Sequence, residues 1–262
     1  IFTMLLLTYI KISLKNIHFT RLHLWLLFIQ LVGSIAVYLI IRPINNILAQ
    51  GVMICVLAPT GTAAVVITGM LKGNVASLTA YSLASNLMVA VTAPVLFSFI
   101  GNNNELPFFS SFTDIGQRIF FLLVTPLVIA FLLNKFSPKT STFLKKYTGV
   151  SFYLWSIALV IVSGKTVYYI LNQPDANAFI NIMIAVGALL VCVLQFFTGR
   201  RIGRIYNDTV AGGQGLGQKN TVLAIWMAQM YLNPISSIGP GAYVLWQNLF
   251  NSWQVWRQRK SI

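Results

Sequence analysis

The sequence predicts an all-α polytopic membrane protein in which two of the spans are broken midway. Three observations predict it. The composition is 57% hydrophobic and only 8% charged, against roughly a quarter charged in soluble domains. So few charges cannot solvate a surface, and the surface must face lipid. The apolar residues also fall into runs long enough to cross a bilayer, separated by short polar or basic connections. Finally, two runs carry Pro/Gly breaks, one at Ala58-Pro59-Thr60-Gly61-Thr62-Ala63 and one at Gly212-Gly213-Gln214-Gly215-Leu216-Gly217-Gln218-Lys219-Asn220-Thr221. Interrupted segments at matching positions of two halves point to a transporter's binding site.

Residues 1–12 read as the tail of a span. The sequence opens on Ile1, already in an apolar run and with no methionine, so the natural N-terminus is expected upstream. A basic connection with Lys11, Lys15, His18, Arg21 and His23 leads to a span over 22–41 that contains Gln30 and is ended by Arg42-Pro43. Residues 47–57 are a half-span; after the break, 63–71 complete it. Lys72-Gly73-Asn74 turns the chain into a span over 75–100. Residues 101–117 read as a polar loop, 119–133 as a span kinked at Pro126, and 134–146 as a basic connection. Spans over 147–171 and 179–197 follow, then Arg200, Arg201 and Arg204, the glycine-rich break, a half-span over 222–232, the turn Asn233-Pro234 and a last span over 235–253.

A net charge of +14 would suggest nucleic acid in a soluble protein. Here the basic residues gather in alternate connections, where positive charge sets orientation. No nucleic-acid partner is expected; the partner is the lipid bilayer. The asymmetry places the basic connections and the C-terminus in the cytoplasm, and the chain in a bacterial inner membrane. Cys55 and Cys192 lie inside apolar runs and read as packing residues, with no metal pattern. No cofactor motif and no catalytic constellation appears, so no enzyme is expected.

The halves repeat. Ala80-Tyr81-Ser82-Leu83-Ala84-Ser85-Asn86-Leu87 matches Ala242-Tyr243-Val244-Leu245-Trp246-Gln247-Asn248-Leu249 at Ala, Tyr, Leu, Asn and Leu, and Gln30 and Gln195 sit at a similar offset. One motif starts a span leaving the cytoplasm and the other a span returning, so the repeats are inverted.

A helix broken in hydrocarbon leaves backbone groups that protein or a wet cavity must satisfy. Its new N-terminus carries freed N–H groups and the positive end of the helix dipole, which suits an anion. Thr60 and Thr62 stand at one such start, Asn220 and Thr221 at the other; capping is their bland reading, and binding plus capping the sharper one. Lys219 is the sharpest residue. An ammonium at the bilayer centre costs about 3 kcal/mol or more, and no span holds a carboxylate to pair with it. The alternatives are a lysine snorkelling to the interface, as expected of Lys165, and one held at a site by carbonyls, amides such as Gln30 or Gln218, or an anion.

The segment at 58–63, followed by Lys72-Gly73-Asn74-Val75-Ala76, resembles the bile acid:sodium symporter family. Its first broken helix reads about (Ala/Cys)-Pro-Gly-Gly-Thr-Ala-Ser-Asn and precedes Lys/Arg-Gly-(Asn/Asp)-Val-Ala-Leu. Gly215-Leu216-Gly217-Gln218-Lys219-Asn220-Thr221-Val222 resembles the family's Glu-Val-Gly-Met-Gln-Asn-Ser-Gly, and Asn233-Pro234 and Gly239-Pro240-Gly241-Ala242 also fit. The resemblance implies ten helices in two inverted five-helix repeats, with the first span and a half absent here. It implies a core domain at about 22–100 and 178–256, whose two broken helices cross, beside a panel domain at about 1–12 and 113–171. It implies transport of small organic anions, such as bile acids, carboxylates or sulfated compounds, coupled to sodium.

Carried over residue by residue, the resemblance loses most of its sodium ligands. A Ser-Asn pair becomes Ala64 and Val65, a Ser and a Thr become Leu78 and Ser82, the glutamate becomes Gly215 and its glutamine partner Lys219, while Gln30 keeps a glutamine. Sodium, a hard cation, needs oxygens, which puts it in question as a partner. The reading is that Lys219, with Gln30 and Ser82 around it, replaces the sodium ions, while Thr60, Thr62, Gln218, Asn220 and Thr221 form the substrate shell. A lysine that releases its proton there would make the carrier proton-linked. The rivals are an arsenite- or auxin-type efflux carrier or antiporter on the same plan, and a non-transporting membrane sensor.

Overall fold

The computed structural model describes residues 1–10, 18–101, 108–147, 150–172 and 177–260. Lys11 and Lys15, placed above in a basic connection, lie outside the described residues. The elements are all helical: α1 Phe2–Tyr9, α2 Arg21–Ile41, α3 Asn46–Leu57, α4 Ala63–Met70, α5 Val75–Ile100, α6 Phe108–Phe136, α7 Pro138–Lys146, α8 Val150–Leu171, α9 Ala178–Ile205, α10 Thr209–Gly217, α11 Thr221–Tyr231 and α12 Ile238–Lys260, with a short 3-10 turn at Pro234–Ser237. Among the described residues, α2, α5, α6 and α9 are long and apolar enough to cross a membrane unaided. The broken pairs α3/α4 and α10/α11 are each made of pieces too short to do so.

Helix starts follow capping chemistry. The side chains of Asn45, Asn74 and Asn177 accept from the N–H of Leu48, Ser77 and Ile180, at 2.9, 3.0 and 3.1 Å. The Nδ1 of His23 accepts from the N–H of Thr20 at the start of α2. Proline ends α2, whose last residue is Ile41, ahead of Arg42-Pro43.

The chain is more helical than its loops suggested. Residues 108–117, expected in a polar loop, form the first turns of α6, and most of the basic connection 134–146 is α7, with Pro138 in its first turn. The glycine run is a larger departure. Gly212, Gly213, Gly215 and Gly217 are all within helix α10, and the chain breaks just after them, at Gln218-Lys219-Asn220. The glycines serve proximity instead of breakage. A Cβ on Gly212 would lie 2.8 Å from the Cα of Gly203, so the backbones of α10 and α9 touch. Small residues allow this approach between helices in lipid.

The largest buried cluster joins α1, α3, α5, α6 and α11 through residues such as Leu5, Met53, Ile54, Phe97, Ile119 and Met227. A second joins α3, α9 and α12 through Val52, Cys55, Cys192, Phe196 and Tyr243. The half-helix α3 belongs to both. The outward faces are apolar as well, with Phe28, Ile40, Phe99, Phe121, Val160 and Leu190 exposed, as a lipid-facing surface requires.

Candidate functional site at the helix crossing

Proline 59 has no N–H to continue α3, and the chain runs extended from Ala58 before α4 begins. The second break does the same between α10 and α11. The two extended pieces then satisfy each other. The N–H of Gly61 donates to the carbonyl of Gln218 (2.9 Å) and that of Asn220 to the carbonyl of Pro59 (2.8 Å). The result is an isolated antiparallel bridge between Thr60 and Lys219. A Cβ on Gly61 would lie 2.7 Å from the Lys219 carbonyl oxygen, so only glycine lets the segments pass this closely.

The side chains that brace the two breaks repeat. On α2, Gln30 donates to the carbonyls of Leu57 (2.8 Å) and Ala58 (3.0 Å) and accepts from the hydroxyls of Tyr81 (2.8 Å) and Ser85 (2.9 Å) on α5. The Ser85 oxygen also accepts from the N–H of Thr60 (3.3 Å). On α9, Gln195 donates to the carbonyl of Cys55 (3.3 Å) and the hydroxyl of Tyr243 (3.0 Å), which itself donates to the carbonyl of Gly217 (2.9 Å). One turn after Tyr243, the Oε1 of Gln247 accepts from the N–H of Lys219 (2.9 Å). Tyr81 with Ser85 therefore matches Tyr243 with Gln247, and Thr60 matches Lys219.

Lys219 is 2% exposed, and its Nζ donates to the carbonyl of Val56 at 2.8 Å. That carbonyl lies in the last turn of α3, where helix carbonyls are unsatisfied and carry partial negative charge. The lysine does not reach an interface. Lys165 is exposed on α8, as a snorkelling side chain should be. Among the described residues the one carboxylate salt bridge is Arg118 with Asp114 on the surface of α6, so no acid pairs with Lys219.

The other residues singled out from sequence divide. The Thr60 hydroxyl donates to the carbonyl of Gly215 (3.0 Å), a link to α10 and not a cap. Asn220 caps α11 by accepting from the N–H of Leu223 (3.2 Å), while its Nδ2 is buried with no hydrogen-bond partner. Gln218 is buried, and its Oε1 accepts from the Nδ2 of Asn251 on α12. Thr221 is buried at the start of α11. Thr62 is half-buried, and its side chain makes no cap to α4, because Thr62 already has helical backbone angles and its hydroxyl cannot reach the next turn as an extended cap does. Ser82 is half-buried beside Tyr81, and the hydroxyl that reaches the crossing is Ser85, one turn further along α5. The repeated motif held the signal for Ser85 and Gln247, each four residues after a tyrosine, but the two are not identical residues and fall outside the matched letters. Gln214, which donates to the Oδ1 of Asn251 (2.9 Å), had no such signal.

Three of the positions where the resemblance expects sodium ligands, 64, 65 and 78, are filled with hydrocarbon. Ala64, Leu78 and Ala211 form a buried apolar cluster with Val65 against it. At Gly215 a Cβ would lie 2.8 Å from the Tyr81 ring, so that ring occupies the space a longer side chain would need.

Interrupted helices crossing inside an all-helical, lipid-facing chain define a polytopic membrane transporter. The chain belongs to the Sodium Bile acid symporter family, whose model matches residues 1–173, the first break included. It is also 24% identical over 207 residues to a protein of Bacillus subtilis (strain 168) described as the uncharacterized sodium-dependent transporter YocS. That match covers 78% of this chain and 62% of the relative, so the chain spans less than two thirds of the relative's length.

Proposed function

We propose that this chain forms the carrier of a small organic anion, of bile-acid, carboxylate or sulfate type, in which the Lys219 ammonium stands where relatives of the family place sodium. It works by alternating access in the cytoplasmic membrane, with the C-terminus in the cytoplasm. The observation that carries the reading is the buried contact of Lys219 Nζ with the Val56 carbonyl. A bound cation at a helix crossing neutralises C-terminal helix ends, and a fixed ammonium at the same place does so permanently. Two further observations support it. The sodium-ligand positions Ala64, Val65 and Leu78 pack as an apolar cluster, which offers no oxygen to a hard cation. The starts of α4 and α11 meet beside the lysine, and the Asn220 amide has a donor free for a ligand. Positive dipole ends plus an uncompensated ammonium select a negative substrate.

The competing reading is sodium coupling, which the family's description and the relative's printed name favour. The two are separated by uptake into proteoliposomes from a panel of carboxylates and sulfated steroids, with sodium replaced by potassium or N-methylglucamine. Uptake that persists within about twofold without sodium is expected; strict dependence on sodium would remove Lys219 from the role given to it. Uptake of no anion at all, with arsenite carried instead, would select the efflux-carrier alternative.

A further inference from the structure

Between α9, α10 and α12, at the end of the helices away from the crossing, lies a cavity of about 490 Å³. Its walls include Phe197, Phe250 and Trp253, and its polar lining includes Arg200, Gln254, Arg257 and Gln258. Arg200 is half-buried; its stem lies over Gly213, and its Nη1 donates to the Oε1 of Gln254 at 2.8 Å. The Arg257 guanidinium sits 5.7 Å from the Trp253 ring centroid and acts on Arg200 as a like charge. Neither arginine pairs with an acid among the described residues. Gln254 is 6% exposed, and its Nε2, a donor, has no hydrogen-bond partner. Two guanidiniums held together and an unused amide N–H form a set of donors with nothing to receive them. Such a set is matched by an oxyanion with several acceptor oxygens.

We propose that this cavity binds the phosphate headgroup of an anionic phospholipid. The walls decide between a lipid and a free anion. Phe197 and Trp253 are 61% and 48% exposed on the outer surface, so the cavity opens sideways onto the apolar, lipid-facing flank of α9 and α12. A headgroup can enter there with its acyl chains left in the hydrocarbon. The position suits it too, because the arginines follow the apolar stretches of α9 and α12, at the depth where basic pockets between helices meet headgroups and where tryptophan settles. Substrate reaching the helix crossing would meet Lys219, some residues away along α12 at the level of Gln247, so this site is separate from the one proposed above and does not rest on it.

The test is lipid retention by native mass spectrometry of the detergent-purified protein, titrated with phosphatidylglycerol or phosphatidylcholine, alongside thermal shift with inorganic phosphate. Phosphatidylglycerol is expected to bind and raise the unfolding midpoint, and phosphatidylcholine and inorganic phosphate to do neither. Arg257→Gln, at an exposed position of α12, should weaken phosphatidylglycerol retention about fivefold, and Arg200→Gln by at least as much. Arg201→Gln, exposed on α9 outside the cavity lining and with the same change in net charge, should change it less than twofold. Equal losses for Arg201→Gln and Arg257→Gln would reduce the effect to general surface charge and overturn the site. Stabilisation by inorganic phosphate that Arg257→Gln abolishes would overturn the lipid assignment in favour of a soluble anion.

Discussion

The two breaks share a scaffold and differ in the side chain at its centre. In each, a glutamine on the preceding span, a tyrosine on the following span and a polar residue four positions later hold the severed backbone: Gln30, Tyr81 and Ser85 for one, Gln195, Tyr243 and Gln247 for the other. At the matched centre, one break carries Thr60 and the other Lys219. The scaffold is what an interrupted helix in lipid demands of any sequence, since its freed carbonyls and N–H groups must be paired. The exchange of a hydroxyl for an ammonium is not demanded by that scaffold. It makes the two sides of the crossing chemically unequal and leaves an amine tied to the last turn of α3.

The sharpest way to break the comparison is to neutralise its odd member. Lys219→Gln should reduce anion uptake by about 10- to 100-fold, the scale of one charge-assisted hydrogen bond of ~1.5–3 kcal/mol. Thr60→Val, at the matched position, should cost about 1 kcal/mol of stability and much less transport. Uptake by Lys219→Gln equal to that of the parent would leave the lysine with a packing role only.

The bracing glutamines come next. Gln30→Leu strands two carbonyls and two hydroxyls and should cost ~3 kcal/mol, whereas Gln195→Leu, with two donated bonds, should cost about 1 kcal/mol. Thermal unfolding of both variants in one detergent measures the gap. Equal shifts would mean that the two breaks do not depend on their braces to different extents. The smallest effect separates neighbouring serines. Ser85→Ala removes a donor to Gln30 and an acceptor for the Thr60 N–H and should cost about 1 kcal/mol. Ser82→Ala should stay within ~0.5 kcal/mol, the range of a substitution away from any such network. Reversed magnitudes would return Ser82 to the site.

Legibility in the sequence followed the range of the physics. Both breaks, the long spans, the family and the repeated Ala-Tyr motif were legible because composition, proline and capping act over a few residues. Lys219 was legible as an anomaly, since a charge in an apolar chain has few explanations. The glycine run misled for the same local reason: glycine weakens an isolated helix, yet α10 stays helical because its glycines let it lie against the α9 backbone. Of the two threonines singled out at the first break, Thr60 bonds across to α10, and on α5 the hydroxyl at the crossing belongs to Ser85, one turn beyond Ser82.

By itself the sequence determined that this protein lives in lipid, that its backbone is interrupted twice, and that one interruption carries a lysine. Hydrophobicity, chain stiffness and the cost of burying charge are properties of short stretches and need no partner. Tertiary structure alone decided that the interruptions pair with each other, that Val56 receives the ammonium, and that hydrocarbon fills the cluster around Ala64 and Leu78. Those outcomes depend on which of many chemically equivalent carbonyls, and which methyl groups, arrive within a few ångströms across more than a hundred residues of chain, and only the packing of whole helices selects among them.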